Sequence, residues 1–148
     1  SNDFVISDQE NPRSIVISPI KMRCCKISGV MDFSNTIFKN TVDFSECSLN
    51  ETYFINTIFN KDANFITSQF QNVAEFGRAK FENDADFRAS LFKDYANFMS
   101  EFDMKADFRY ASFEDNVEFQ DAQFHEKAQF WNTTFERDAR FMNAAFEN

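Results

Sequence analysis

Large apolar residues recur along this chain in steps of five and six residues. From residue 33 onward nearly all of these positions, which we call centres, are phenylalanine. Because the two step lengths mostly alternate, the pattern is an internal repeat with a period of eleven residues for each pair of steps. The centres are Met22, Ile27, Phe33, Phe38, Phe44, Leu49, Phe54, Phe59, Phe65, Phe70, Phe76, Phe81, Phe87, Phe92, Phe98, Phe102, Phe108, Phe113, Phe119, Phe124, Phe130, Phe135, Phe141 and Phe146.

A small residue stands two places before nearly every centre, and the residue between the two is mostly polar. The stretch ADFRASLFKDYANF, residues 85–98, shows this order in Ala85-Asp86-Phe87 and again in Ala96-Asn97-Phe98. Side chains that alternate between two faces have the parity of a β-strand. The pattern therefore predicts short strands, each with a small and a large residue inside and a polar residue outside.

An eleven-residue period also has a helical interpretation, since it can specify a right-handed supercoil of α-helices. Such a supercoil needs one apolar stripe along each helix. At about 98° per residue, centres five residues apart would lie roughly 130° apart, and the small residues would scatter further. No continuous seam forms, so the strand interpretation is favoured.

The repeated units resemble those of a known family. Residues 20–148 are similar to pentapeptide-repeat proteins, most clearly in Ala63-Asn64-Phe65, Ala85-Asp86-Phe87, Ala96-Asn97-Phe98 and Ala106-Asp107-Phe108. The resemblance implies an all-β fold, a right-handed quadrilateral β-helix in which each side is one repeat. With four centres per coil the chain holds about six coils, a rod of roughly 29 Å at the usual strand spacing. The sixth residue of alternate repeats departs from the family pattern and predicts widened corners.

Counting four centres per coil assigns every centre to one of four faces. Face one begins at Met22, face two at Ile27, face three at Phe33 and face four at Phe38. Every fourth centre then returns to the same face, one coil further along the rod. Large rings are expected to stack on one another from coil to coil inside the rod.

The two ends of the chain differ in pattern. Residues 1–19 fall outside the repeat and are predicted to form an N-terminal cap segment, followed by the β-helix over 20–148. Within the cap, residues 13–19 are typical of a strand that ends at Pro19. No comparable segment follows Phe146, which predicts either a continuing parent chain or a homodimer through the uncapped C-terminal end.

One step along the chain is shorter than the others. The step from Phe98 to Phe102 is only four positions, which predicts one tightened corner in which Ser100 serves two repeats. A tolerated deletion is favoured over a functional kink. Glycine and proline are scarce, with 2 of each, so the turns cannot depend on these two residues.

Net charge limits the partners that the chain can have. The formal charge is −9, and nonspecific nucleic-acid binding needs Lys and Arg to neutralise phosphates, so no direct nucleic-acid binding is expected. A basic protein partner, or a protein that normally holds DNA, fits better, although an acidic surface can serve solubility alone. The sequence shows no apolar run of membrane-spanning length and no signal peptide.

Catalytic, cofactor and metal sites are not indicated by the sequence. The single histidine, His125, follows a centre and is expected on the surface, without a second base for nucleophilic chemistry. Cys25 and Cys47 are expected to stack inside face two within disulfide range, and two buried free thiols are favoured over a disulfide. Three cysteines without a CxxC motif favour a reducing, cytoplasmic environment.

The candidate contact residues lie on the outer side of face one. Asp86 and Asp107 alternate there with Arg88 and Arg109, so their charges are expected to cancel across strands. Trp131 extends the same outer column by one coil and is a candidate protein contact. A belt of eight acids and two bases spreads over several faces, formed by Glu101, Asp103, Lys105, Asp107, Arg109, Glu114, Asp115, Glu118, Asp121 and Glu126.

Three functions remain open from the sequence. The first is a noncatalytic protein-interaction module, a rigid acidic rod that presents flat faces to a protein partner. Relatives with DNA-mimic activity imply a second, binding to a type II topoisomerase such as gyrase, although the long projecting loops of some of these relatives have no counterpart here. The third is a soluble repeat domain of a larger membrane or signalling protein. An enzyme is the least favoured interpretation.

Overall fold

The structure is a computed structural model that describes residues 4–5 and 13–147. All of its regular elements are strands of two or three residues. In chain order they are β1 Phe4–Val5, β2 Ser14–Val16, β3 Ile20–Lys21, β4 Lys26–Ile27, β5 Met31–Asp32, β6 Thr36–Phe38, β7 Val42–Asp43, β8 Ser48–Leu49, β9 Thr52–Tyr53, β10 Ile58–Phe59, β11 Ala63–Asn64, β12 Gln69–Phe70, β13 Ala74–Glu75, β14 Lys80–Phe81, β15 Ala85–Asp86, β16 Leu91–Phe92, β17 Ala96–Asn97, β18 Glu101–Phe102, β19 Ala106–Asp107, β20 Ser112–Phe113, β21 Val117–Glu118, β22 Gln123–Phe124, β23 Ala128–Gln129, β24 Thr134–Phe135, β25 Ala139–Arg140 and β26 Ala145–Phe146.

The strands form four parallel sheets that make the four sides of a β-solenoid. Each strand pairs with the strand four places later in the chain, so every sheet collects one side of successive coils. Face one is β3-β7-β11-β15-β19-β23, face two is β4-β8-β12-β16-β20-β24, face three is β1-β5-β9-β13-β17-β21-β25 and face four is β2-β6-β10-β14-β18-β22-β26. The all-β fold of about six coils and the predicted assignment of centres to faces are confirmed.

The register between coils follows the centres closely. Phe59 lies opposite Phe81 on face four, and Asn64 lies opposite Asp86 on face one. At the N-terminus, β1 pairs in parallel with β5, and β2 pairs with β6 through Ser14 opposite Thr36. The strand predicted within residues 13–19 is therefore present, and the described part of the cap segment extends the sheets of faces three and four.

The phenylalanine rings form continuous stacks inside the rod. The ring centroid of Phe87 lies 5.0 Å from that of Phe65 and 5.0 Å from that of Phe108, with interplanar angles of 2°. Phe98, on face three, meets the edge of Phe87 at 5.1 Å and 82°. Phe87 and the three rings around it are fully buried, as are the other phenylalanine centres from 33 to 124. Stacking along a face and edge contacts between faces fill the interior, because both geometries suit aromatic rings.

Small hydroxyl side chains fit beside the rings because each donates a hydrogen bond to a backbone carbonyl oxygen. Ser90 donates its Oγ–H to the carbonyl oxygen of Phe65 on the preceding coil at 2.8 Å. Thr133 does the same to Phe108 at 2.8 Å, and Ser100 to Phe76 at 2.5 Å. A buried hydroxyl without a partner would be costly, so these bonds explain how Ser and Thr replace Ala at this position.

The corners are of two kinds, and the face from which the chain leaves decides which is formed. Five-residue steps leading from faces one and three contain a residue with positive φ two places after the centre. Eleven described residues take this conformation, with φ between 53° and 61°: Cys24, Asn35, Glu46, Asn56, Thr67, Arg78, Ala89, Tyr110, Asp121, Asn132 and Asn143. Steps leading from faces two and four lack it and in all but one case have six residues. The sixth residue is thus accommodated at a second, wider type of corner.

The four-residue step between Phe98 and Phe102 loses the left-handed residue. No positive φ occurs between Asn97 and Glu101, although every other described corner from face one or three has one. Ser100 remains 4% exposed, and its carbonyl accepts a bond from the backbone N–H of Gln123 at 2.9 Å. The predicted tightening is therefore present, and the sheet continues across it without a change of register.

Candidate functional site

Outer Asp and Asn residues of faces one and three hold the corners that follow them. The Oδ1 atom of Asp86 accepts the backbone N–H of Arg88 at 3.1 Å, and that of Asn97 accepts the N–H of Met99 at 2.9 Å. A short side chain can reach a backbone donor two residues ahead, whereas a longer one cannot do so in this geometry. Where Asp or Asn precedes a centre on these faces, its side chain thus has a structural role at the corner.

The outer column of face one is a lattice of ion pairs. Arg88 donates from Nε to Asp86 Oδ1 at 2.9 Å and from Nη2 to Asp86 Oδ2 at 2.7 Å. Arg109 repeats the arrangement on Asp107, at 2.9 Å from Nε and 2.8 Å from Nη2. The charges cancel mainly along each strand, and the contact across strands, from Arg88 Nε to Asp107 Oδ2, is longer at 3.8 Å. The charge cancellation across strands that the sequence led us to expect is thus only a minor part of the arrangement.

Asp107 is the most enclosed carboxylate of this lattice. Its side chain is 1% exposed, and Lys105 Nζ lies 2.8 Å from Oδ2. Burial alone would raise the pKa of Asp107, but hydrogen bonds from Arg109 and Lys105 outweigh it and lower the pKa to about 2. The lattice is consequently close to electroneutral, although the chain as a whole is acidic.

An exposed aromatic pair lies beside this lattice. Trp131 is 61% exposed and Tyr110 is 51% exposed, and their ring centroids are 5.0 Å apart with the planes at 80°. Trp131 lies in the outer column predicted for it. Tyr110 was not predicted as a contact residue, although its place two residues after a face-one centre puts it at the corner next to Trp131. We call this pair of exposed aromatic side chains, Tyr110 and Trp131, the aromatic corner.

The cysteines differ from the prediction in their redox state. Cys25 and Cys47 lie on successive coils of face two, with Cα atoms 4.5 Å apart, and are joined by a disulfide. The proximity was predicted correctly, but the preference for two free thiols is wrong. This Cα separation is within the range usual for disulfides, so the two sulfur atoms can bond without movement of the backbone. Cys24 is free and exposed, and Glu46 raises the pKa of its thiol by accepting a hydrogen bond from it.

His125 belongs to a charged network on face four. Its Nε2 atom lies 3.3 Å from Glu101 Oε1 and its Nδ1 atom 3.0 Å from Glu147 Oε2, and both carboxylates raise its pKa. Glu101, Asp103 and His125 place one ligand atom each within 4.8 Å of one another. Lys80 Nζ already contacts Glu101 at 3.0 Å and Asp103 at 3.3 Å, so an ammonium group balances these carboxylates. This grouping was not predicted from the sequence, because it depends on the register of face four across the short step.

Comparison with known proteins addresses the repeat directly. The family model described as pentapeptide repeats matches the chain in nine copies, over residues 25–69 and 100–148, which is more than half of the chain. The chain belongs to the pentapeptide-repeat family. No curated protein and no solved structure gave a match.

The unmatched stretch of this pentapeptide-repeat protein, residues 70–99, continues the same coils. Its strands pair in register with those before and after it, since Ala74 lies opposite Thr52 and Ala96 lies opposite Val117 on face three. The predicted belt of acids is distributed over all four faces, with Asp107 on face one, Glu114 directly after a strand of face two, Glu118 on face three and Glu101 on face four. Among the described residues no helix is long and apolar enough to cross a membrane.

Proposed function

We propose that this pentapeptide-repeat chain is a noncatalytic protein-interaction module, a rigid acidic rod that presents flat faces to a protein partner. The observation that carries the proposal is the aromatic corner of Tyr110 and Trp131 beside an ion-paired column. Tryptophan and tyrosine are enriched among the residues that dominate protein–protein binding energy.

The ion-paired column supports the same function. Asp86, Arg88, Asp107 and Arg109 hold one another in place, so little side-chain freedom is lost when a partner covers them. Their charges are already balanced, and a partner does not need to supply an opposite charge to each group. These four residues are therefore proposed as the flat surround of the contact, with Trp131 as its anchor.

The test compares Trp131→Ala with Met142→Ala. Met142 is 60% exposed and follows the face-three centre of the last coil, so it is a matched apolar side chain on another side of the rod. Each immobilised variant is exposed to a lysate of the source cells, and captured proteins are identified after competition with free wild-type chain. The proposal expects saturable capture that is lost in Trp131→Ala and kept in Met142→Ala. Equal capture by both variants, or no saturable capture by the wild type, would overturn it.

The topoisomerase alternative has a separate test. A DNA mimic needs acidic groups that stand in for phosphates, and the face-one acids Asp86 and Asp107 are instead bound to arginines. In a gyrase supercoiling assay we expect no inhibition at micromolar excess of the chain. Inhibition that persists at moderate salt would favour the DNA mimic over the general interaction module.

Self-association through the last coil remains a further proposal. Phe146 is 50% exposed at that end, whereas the ring it stacks on, Phe124, is 1% exposed. Light scattering coupled to gel filtration would show a dimer that Phe146→Glu converts to monomer, and a monomeric wild type at high concentration would end the proposal. Whether the chain is a domain of a larger membrane or signalling protein is decided by the sequence that surrounds it in its gene.

A further inference from the structure

A notch interrupts the outer surface of face three at Gly77. The residue after each face-three centre points outward, and on three successive coils this residue is Ile55, Gly77 and Met99. Backbone hydrogen bonds link the three positions from coil to coil. The N–H of Asn56 donates to the carbonyl oxygen of Gly77 at 2.9 Å, and the N–H of Arg78 donates to that of Met99 at 2.7 Å. Glycine therefore leaves an opening between two apolar side chains.

Two polar side chains close the inner end of the notch. Asn97 donates from Nδ2 to Glu75 Oε2 at 3.0 Å, while its Oδ1 accepts the backbone N–H of Met99. The second bond fixes the orientation of the amide, so its NH2 group faces Glu75. A Cβ atom placed on Gly77 would lie 3.1 Å from Asn97 Nδ2, tighter than an ordinary contact. Gly77 thus gives the amide and the carboxylate room to meet within the opening.

The carboxylate of Glu75 has no cation beside it. Among the described residues no lysine or arginine nitrogen lies within 4.0 Å of its oxygens, although the acids of faces one and four have such partners. Burial raises the pKa of Glu75, and the hydrogen bond from Asn97 offsets only part of this rise. The charge of Glu75 also helps to raise the pKa of Tyr53 and Tyr95, so both phenol groups lie within its electrostatic reach.

We propose that this notch binds the side chain of a lysine or arginine presented by a partner protein. The aliphatic stem lies between Ile55 and Met99, and the cationic group reaches the carboxylate of Glu75. Long basic side chains pack their methylene groups on apolar surface and keep the charged end at a polar group, which matches the order of groups here. The proposal rests on the protein-interaction function but concerns a surface away from the aromatic corner.

The notch has room for one long side chain. It measures about 270 Å³ and is lined by Ile55, Glu75, Gly77, Arg78, Asn97 and Met99. Pockets for drug-sized ligands usually measure about 300–1,000 Å³ and enclose most of the ligand. Arg78 is exposed at the rim and forms no ion pair with Glu75. Its charge repels an incoming cation, so Arg78→Ala is expected to strengthen binding.

The polar residues that line the notch all lie within residues 70–99, the stretch that the family model does not match. The repeat alone needs neither a glycine after the centre nor a glutamate before it. The glutamate is too long for the corner bond that Asp and Asn make, and it bonds to Asn97 on the neighbouring coil instead. Glu75 and Gly77 therefore make a contact between coils in place of the corner bond that Asp and Asn make.

The experiment titrates the intact chain with N-acetyl-lysine methylamide and follows its amide signals by NMR. The neutral probe N-acetyl-norleucine methylamide has a similar aliphatic stem without the ammonium group. We expect saturable shifts of the Gly77 and Met99 backbone signals and the Asn97 side-chain NH2 signals, at millimolar probe. The norleucine probe should shift them at least fivefold less.

Three variants decide the outcome. Glu75→Gln keeps the size of the side chain and an acceptor for Asn97, and should abolish the saturable shifts while leaving the rest of the spectrum unchanged. Gly77→Met fills the notch and should abolish the saturable shifts at Met99 and at the Asn97 side chain, although the Asn97 signals themselves move because the new Cβ crowds this amide. Glu82→Gln removes an acid outside the notch and should leave binding unchanged. Absence of saturable shifts, or equal binding by Glu75→Gln, would overturn the proposal. Capture of a partner through Trp131 is a separate result, because the probe titration does not involve the aromatic corner.

Discussion

Replacing Asp107 by Asn removes the buried charge on which the face-one lattice converges. Arg109, Lys105 and, more distantly, Arg88 all contact this carboxylate. The Asn side chain keeps an oxygen for the backbone N–H of Arg109, which Asp107 Oδ1 accepts at 3.2 Å. The substitution therefore changes the charge and leaves the shape of the corner nearly intact.

The magnitude follows from the pKa of Asp107. Folding lowers this pKa from 3.8 to about 2. At about 1.4 kcal/mol per pKa unit, the ionised group contributes about 2 kcal/mol to the free energy of unfolding at neutral pH. The basic partners are 29–42% exposed and can turn to water when the carboxylate is lost. The cost should thus stay below the roughly 3–5 kcal/mol seen when a fully buried pair is broken.

The pH dependence has a definite sign. A carboxylate with a lowered folded-state pKa stabilises the protein above its unfolded-state pKa, and this contribution is lost as the pH falls through the folded-state value. Urea unfolding followed by circular dichroism should show wild type more stable than Asp107→Asn by about 2 kcal/mol at pH 7. The difference should shrink between about pH 4 and pH 2.

The matched control is Asp86→Asn, one coil earlier. Asp86 is 22% exposed and contacts a single arginine at short range, so a smaller loss is expected. A difference for Asp107→Asn that stays constant from pH 7 to pH 2 would refute the reasoning, because it would show that the loss does not come from the ionised state. Equal losses for the two variants would show that burial of Asp107 has no energetic role.

Three further predictions concern the coil itself. Phe87→Ala should lower the free energy of unfolding by roughly 3–5 kcal/mol, and Phe146→Ala by about 1 kcal/mol, in urea melts, because Phe87 is enclosed by rings whereas Phe146 is half exposed. Thr67→Asn should raise stability by about 0.5–1 kcal/mol, since Asn tolerates positive φ better than a β-branched residue, and a lower melting midpoint would contradict this. Titration of thiols in denaturant without reductant should detect one group, that of Cys24, and detection of three would exclude the disulfide.

The architecture could be predicted because the repeat itself encodes it. A small residue, a polar residue and a ring recur in frame, so inward and outward positions follow directly from strand parity. Stacking of Phe65, Phe87 and Phe108 follows from counting four centres per coil. The same count placed Trp131 in the outer column of face one. Each inference uses only the position of a residue in the coil, which the sequence records.

The remaining features depend on side-chain conformation, which the repeat does not determine. Asp107 is 1% exposed because three basic side chains fold over it, and its position resembles that of the more exposed Asp86. The notch at Gly77 requires the side chains of two neighbouring coils to be considered together. The left-handed corners were not foreseen because glycine is absent from them, and Asn, Thr and even Tyr110 take its place.

The most direct test of the account is a set of nuclear Overhauser effects between phenylalanine rings. Phe65, Phe87 and Phe108 are far apart in sequence, yet adjacent ring centroids are 5.0 Å apart. In a selectively ring-labelled sample we predict cross-peaks from Phe87 to both of the other rings. Ring protons that instead contact residues three and four positions away, as in a helix, or that lack contacts between coils, would contradict the claim that the rings form the inside of the coil and leave recognition to the side chains between them.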